Sequence, residues 1–127
     1  MFIYLEDLIF HMEGLSNEQV LLDTISGVIL ANNLIENLDS LRYIPIPVFD
    51  DIEIARMYLE QLNDKKLRRQ LLSTIQDPCF LHIFHVKIND SGLYNDYISF
   101  GKNQKLKFAQ SWCDVHNIMS TIKHKPT

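Results

Sequence analysis

Glycine and proline are scarce in this chain, four of each in 127 residues, and cysteine is scarcer still at two. So little glycine and proline argues against long disordered stretches. Two thiols, Cys79 and Cys113, could in principle pair with each other, and in a reducing compartment each reads instead as a small buried hydrophobe. No apolar run reaches the roughly 20 residues that a membrane-spanning helix needs. The opening stretch MFIYLEDLIFHMEGL carries Glu6, Asp7 and Glu13 where a secretory leader would place Lys or Arg. It therefore reads as an amphipathic helix of the domain, and the expected location is cytoplasmic. Also missing are a glycine-rich phosphate loop, a His-Glu-x-x-His pair and a nucleophile elbow, so the best-marked enzyme classes find no support.

What is present is ordinary for a globular protein: 46% hydrophobic and 22% charged residues, in a length that fits one domain able to bury a core without staples. The net charge of −4 conceals an asymmetry. Residues 1–63 hold eleven Asp and Glu against two Arg, a balance of −9, while residues 64–127 hold five Asp against ten Lys and Arg, a balance of +5. Such a division marks a partner surface or lets two halves of one fold attract each other.

Along the chain, Leu5, Leu8, Ile9 and Met12 recur at helical spacing, predicting a helix over 3–13. EQVLLDTISGVILANN reads as a β-hairpin, with Gly27 supplying the positive φ of a bulged turn. NNLIENLDSL is a connection or short helix. In RYIPIPVFD, Pro45 and Pro47 lie two apart, so their missing N–H groups fall on one side of an extended strand. Ile44, Ile46 and Val48 pair through the other side and share a face. The strand belongs at a sheet edge, guarded by its prolines. Asp50 is a natural N-cap, with Asp51 and Glu53 in the first turn where they suit the helix dipole. The stripe of this helix, 50–62, is Ile52, Ala55, Tyr58, Leu59 and Leu62. After Asn63-Asp64 a second helix, 65–76, presents Leu67, Leu71 and Ile75, and Asp77-Pro78 ends it. A helix over 79–88 and the turn NDSGL follow. A final helix over 104–117 has Leu106, Ala109, Trp112, Cys113 and His116 as inward candidates, and residues from 120 read as a frayed tail.

Several of these pieces, in this order, resemble the uncharacterised bacterial family catalogued as UPF0158. The resemblance rests on LLDTISGVIL, on YIPIP before an acidic helix start, and on Arg68-x-x-Leu71-x-x-Thr74-Ile75. It continues in Tyr97-x-x-Phe100 followed by Ala109-x-x-Trp112, and spans about residues 19–118. The departure falls on residues 77–85, where the family tends to a Gly-Lys-Gly-Ala-Phe-Arg-x-Phe-Lys run. Here Asp77-Pro78-Cys79-Phe80-Leu81-His82-Ile83-Phe84-His85 lacks the glycines and the fixed positive charges. The resemblance implies a fold pattern and no transferable activity.

For chemistry, Cys79-x-x-His82-x-x-His85 with Cys113-x-x-His116 offers ligand types that suit zinc. Ligands three and six residues apart on one helix span too wide an arc to converge well, so residues 77–88 read as a core wall with both histidines at its rim. Cys113 near His116 supplies residue types for nucleophilic catalysis and nothing further. The surface candidate is the basic cluster KKLRR. Lys65, Lys66 and Arg69 share the face opposite the leucines, where they would meet a phosphate backbone, an acidic partner or only water. Arg68 flanks the apolar stripe and is expected to snorkel or to pair with an N-terminal carboxylate. Nucleic acid is disfavoured by a pI near 5.6 and by the lack of aromatics interleaved with the lysines.

The expected architecture is a single α+β domain, residues 1–127. A three-stranded antiparallel sheet, the hairpin plus the proline-guarded edge strand, packs against four or five helices. Arg68, Trp112, Pro45 and Pro47 have structural roles. The expected function is a non-enzymatic protein-interaction module of acidic inhibitor, immunity or antitoxin type, with no cofactor and no metal. Weak anion or nucleic-acid binding through Lys65, Lys66 and Arg69 is the alternative.

Overall fold

A computed structural model describes residues 2–15, 18–35 and 41–122. In chain order the elements are β1 (Phe2–Tyr4), α1 (Leu5–Met12), β2 (Val20–Asp23), β3 (Ile29–Ala31), β4 (Tyr43–Pro45), α2 (Asp51–Glu60), α3 (Lys65–Leu72), α4 (Phe80–Asp90), α5 (Tyr94–Val115) and β5 (Met119–Thr121). A single 3-10 turn, Asn32–Leu34, begins the connection after β3, and the rest of that connection, 36–40, lies outside the described residues. The fold is mixed α+β, with an antiparallel sheet ordered β3-β2-β4 and a parallel pair β1-β5. The chain packs as two compact units: Met1–Phe49 with Leu106–Thr127, and Asp50–Lys105.

The three-stranded sheet of the first unit is built as its residues dictate. Asp23 N–H donates to the Val28 carbonyl at 2.9 Å, and Gly27 N–H donates to the Asp23 carbonyl at 2.8 Å. Residues 27 and 28 thus face Asp23 together, a bulge that requires the φ of +75° found at Gly27. On the other side of β2, Ile46 N–H donates to Val20 at 3.0 Å and Thr24 N–H to Arg42 at 2.8 Å. The even-numbered residues of this segment therefore bond to β2. Pro45, opposite Leu21, turns its missing donor to the free edge. Pro47 lies past the strand, in the stretch leading to Phe49, whose N–H donates to the Met12 carbonyl at 2.8 Å. The shared face expected for Ile44, Ile46 and Val48 stops at buried Ile46; Val48 is 59% exposed. Pairing ends at Pro45, so strand alternation no longer governs position 48.

Two expectations at the chain's ends are corrected. Residues 3–13 do not form one helix: β1 precedes α1, whose Leu5, Leu8 and Met12 are buried. Residues from 120 are not simply a tail, because Phe2, Ile3 and Tyr4 pair in parallel with Met119, Ser120 and Thr121. The chain is turned into β5 at Asn117, which adopts φ +56°. Ile118 N–H reaches back to Cys113 at 2.8 Å and Asn117 N–H to Asp114 at 3.2 Å, the paired bonds that close a helix through a left-handed residue. Residues 123–127 lie outside the described residues.

In the second unit, the Asp50 carboxylate accepts from Glu53 N–H at 3.1 Å and starts α2. Ile54, Ala55, Tyr58, Leu59 and Leu62 are buried, while Ile52, expected in the stripe, is 44% exposed. Positions 54, 55, 58, 59 and 62 fall on one helical face, and 52 lies off it. Asp64 caps α3 by accepting from Leu67 N–H at 3.0 Å. That helix ends at Leu72, short of the expected 76. Phe80, Phe84 and Ile88 repeat every four residues on the buried face of α4. Gly92, at φ +74°, ends it: Leu93 N–H returns to Ile88 at 3.0 Å and Gly92 N–H to Asn89 at 3.1 Å. Helix α5 starts at Tyr94, ten residues before the expected 104, and continues past buried Gly101 without a break.

The core of this unit is aromatic. Around the fully buried Tyr58 ring stand Tyr97 at 5.2 Å, Phe100 at 5.3 Å and Phe84 at 6.4 Å, all edge-to-face. The Tyr58 hydroxyl donates to Asp96 Oδ2 at 2.7 Å, so the one polar atom of the ring is satisfied at the rim.

Candidate functional site

Helix α3 carries the residues singled out as a binding face. Lys65, Lys66 and Arg69 are all exposed, and among the described residues none has an ion-pair or side-chain hydrogen-bond partner. Lys65 and Lys66 sit in the first turn, where the helix dipole opposes them; the Asp64 cap offsets part of that cost. Arg68 is half-buried, and its Nη1 donates to the Leu62 carbonyl at 3.4 Å. It folds back on the preceding loop. A hollow of about 350 Å³ opens beside this helix start, with Asn63, Asp64, Ser91 and Asp96 on its wall. Both carboxylates already have work there, Asp64 as the cap of α3 and Asp96 as acceptor for Tyr58.

The candidate histidines and cysteines of α4 and α5 differ in exposure. Cys79, His82 and His85 are exposed, His116 is exposed rather than inward, and Cys113 is buried. Trp112 is half-buried with its ring 4.8 Å from the His116 imidazole. Burial pushes the Cys113 thiol pKa up, against a hydrogen bond with Ser120 that works the other way. Both cysteines are free thiols. Among the described residues no group of three His, Cys, Asp or Glu side chains is placed to hold a metal ion. Phe80, Phe84 and Ile88 make residues 77–88 the core wall that their pattern implies.

Two features of the first unit went unread in the sequence. Asp23 is a buried charge, and Arg42 reaches it from the segment leading into β4 with Nε to Oδ1 and Nη2 to Oδ2, each 2.9 Å. The same Oδ1 accepts from Ile25 N–H at 3.0 Å and from Ser26 N–H at 3.4 Å. The Arg42 guanidinium, helped by these turn donors and opposed by burial, holds the Asp23 carboxyl well below the usual carboxylate range. This is a fastener of the hairpin.

The second feature is an open groove of about 330 Å³ between β1–α1 and the start of β3, lined by Phe2, Tyr4, Asp7, His11, Val28 and Ile29 among others. Phe2 and Val28 are about half exposed, and Tyr4 is 38% exposed. The Phe2 and Tyr4 rings meet edge-to-face at 5.2 Å, both on the outer face of β1 while Ile3 points inward. The only strand signal in Phe2-Ile3-Tyr4 is its β-branched and aromatic residue types, too short a run to stand out against the helical spacing that begins at Leu5.

Charge divides by unit differently than by half. Asp50–Lys105 holds eight acidic and eight basic residues and is neutral, so the acidic excess falls on residues 1–49, with seven Asp and Glu against Arg42 alone. No described helix is long and apolar enough to cross a membrane. Comparison with protein families, with curated proteins and with solved structures finds no match for this chain.

Proposed function

We propose that the protein is a non-enzymatic interaction module that binds a basic protein partner through the acidic surface of residues 1–49, as inhibitors of immunity or antitoxin type do. The observation that carries this reading is the charge placement: with buried Asp23 and its partner Arg42 set aside, residues 1–49 hold six acidic residues and no Lys or Arg, in the same stretch that exposes Phe2, Tyr4 and Phe10. Opposite charge steers encounter, and exposed aromatics supply contact area. A cytoplasmic setting accords with two free thiols. The likeness to the UPF0158 pattern adds a family hypothesis and no chemistry. The test is capture of a partner from the native host and its identification, compared between the wild type and the Asp7→Asn/Glu13→Gln variant. The expected result is one basic partner whose retention falls with the double variant and with added salt. A partner retained equally by both proteins at all salt concentrations overturns the reading.

A second reading has its own observation, the three unpaired cations of α3 on one exposed face. On it, Lys65, Lys66 and Arg69 bind a phosphate-bearing anion. Titration with an oligonucleotide at low and moderate salt, using the wild type and the triple alanine variant, separates the readings. Absence of binding at low salt removes this one.

A further inference from the structure

We infer that the groove of the first unit accepts an extended segment of the basic partner, added as a further strand along the free edge of β3. This rests on the interaction reading above and names the place and the chemistry of contact. The ladder between β2 and β3 fixes which backbone groups are spent. Asp23 bonds to the residue 27–28 bulge and Asn32 N–H donates to the Gln19 carbonyl at 2.9 Å. With Leu22 opposite Ile29, Leu21 opposite Leu30 and Val20 opposite Ala31, Leu30 points its N–H and C=O at β2. Ile29 and Ala31, by alternation, point theirs away. Among the described residues strand β3 ends the sheet order, so these outward groups form a short open ladder there, the arrangement that takes up an added strand. Ile29 and Val28 also line the groove, whose opposite wall is the exposed outer face of β1 with Phe2 and Tyr4.

A segment lying against β3 would direct alternate side chains in opposite directions. One set would meet Phe2, Tyr4 and Val28. The other would point out towards a stretch that, with buried Asp23 and its partner Arg42 set aside, carries six acidic residues and no Lys or Arg, while Asp7 adds a carboxylate on the groove wall itself. The occupant is therefore an extended peptide of alternating apolar and basic residues. A second copy of this chain is the poorer occupant, since it would bring one acidic stretch against another.

The probe is an acetylated, amidated octapeptide of alternating lysine and valine, titrated into the full-length 15N-labelled chain. Controls are the glutamate–valine counterpart and a lysine–valine peptide N-methylated at alternate amides. The expected result is shifts at the amides of Phe2, Tyr4, Val28, Ile29 and Ala31. Affinity should fall by at least about tenfold for the glutamate peptide and for the N-methylated peptide, which keeps the charge and loses the ladder. Equal binding of the N-methylated peptide overturns strand addition, and so does absence of shifts at Ile29 and Ala31. If the lysine peptide instead shifts only Glu6, Glu13 and Glu18, the acidic-surface reading stands and the groove falls. Concentration-dependent shifts of these amides without peptide, with a dimer in sedimentation, assign the edge to a second copy and also overturn the proposal.

Discussion

Arg42 grips the Asp23 carboxylate through two parallel hydrogen bonds of 2.9 Å, joining the segment at the start of β4 to the end of β2. Asp23 is 4% exposed and Arg42 40%. Solvent reaches the guanidinium and screens the charge pair, so much of the value of Asp23 lies in what its Oδ1 does for the turn. Asp23→Asn retains an acceptor for the Ile25 and Ser26 N–H groups and gives up the charge; Asp23→Ala gives up both. The alanine variant is expected to lose more thermal stability than the asparagine variant, with a fall in Tm on the order of 5 °C. Equal losses would show that the charge pair alone matters.

The same contact sets an acid dependence. A carboxyl held below its ordinary pKa in the folded state stabilises the fold above its unfolded pKa, about 3.9, and loses that contribution as pH falls below it towards the folded value. The urea midpoint of the wild type should therefore drop between about pH 5 and about pH 2 more steeply than that of Asp23→Asn. Parallel slopes in the two proteins would remove Asp23 as the titrating group.

In the second unit, Tyr58→Phe keeps the buried ring and removes the bond to Asp96, with an expected cost of about 1–2 kcal/mol. Phe84→Ala opens a hole in the aromatic core, with an expected cost of about 3–5 kcal/mol. Urea denaturation of both variants measures the difference. Burial pushes the Tyr97 phenol up to about 12, with the Asp51 carboxylate adding to the shift; Tyr58 moves up too, first through burial and then through Asp96. A raised folded pKa means stability that is complete below about pH 10 and drains as pH rises towards the folded value. Of five tyrosines, two should ionise late in an ultraviolet titration, and Tyr97→Phe should remove one of them.

Which features the sequence disclosed follows from the range of the forces involved. The Gly27 bulge, the Asp50 cap and the outward Pro45 are decided within a few residues, by φ, by a side-chain acceptor and by a missing donor. All three are visible in order along the chain. The pairing of β1 with β5 joins residues 2–4 to 119–121, and three residues carry too little pattern to announce a partner that distant. Arg42 and Asp23 form a pair only once β4 lies beside β2, so neither looked special alone. The groove is likewise a product of folding, since Phe2 and Val28 meet a common space only after the sheet has formed. Gly101 hid the first turns of α5, because glycine inside a helix costs about 0.5–1 kcal/mol relative to alanine.

Gly101 also supplies a prediction of opposite sign to its neighbour in kind, Gly14. A Cβ at position 101 would meet only Ile54 Cγ2, at 4.0 Å, an ordinary contact. Gly101→Ala is therefore expected to stabilise by about 0.5–1 kcal/mol. Gly14 adopts φ +70°, and a Cβ there would stand 2.6 Å from Val48 Cγ1. Gly14→Ala is expected to destabilise by about 1–2 kcal/mol from backbone conformation alone, with the clash added. Because Val48 is exposed and can be truncated at small cost, Val48→Ala should recover the clash and leave the backbone cost. A double-mutant cycle in urea reads the two contributions separately.

The two thiols report the units independently. Cys79 stands exposed at the start of α4, while Cys113, in the last turn of α5, is fully buried, with its pKa raised by burial. A thiol reagent attacks thiolate, and only where it can reach. In the native protein one thiol should be modified at once. The other should react only as fast as the first unit opens. Ser120 pairs with Ile3 in the parallel ladder, so Ser120→Pro, which deletes a donor from β5, should speed modification of Cys113 and leave Cys79 unchanged. If Cys113 in the wild type reacts at the rate of Cys79, its burial does not persist in solution. If Ser120→Pro leaves the rate at Cys113 unchanged, opening of the β1–β5 pair does not govern access to it.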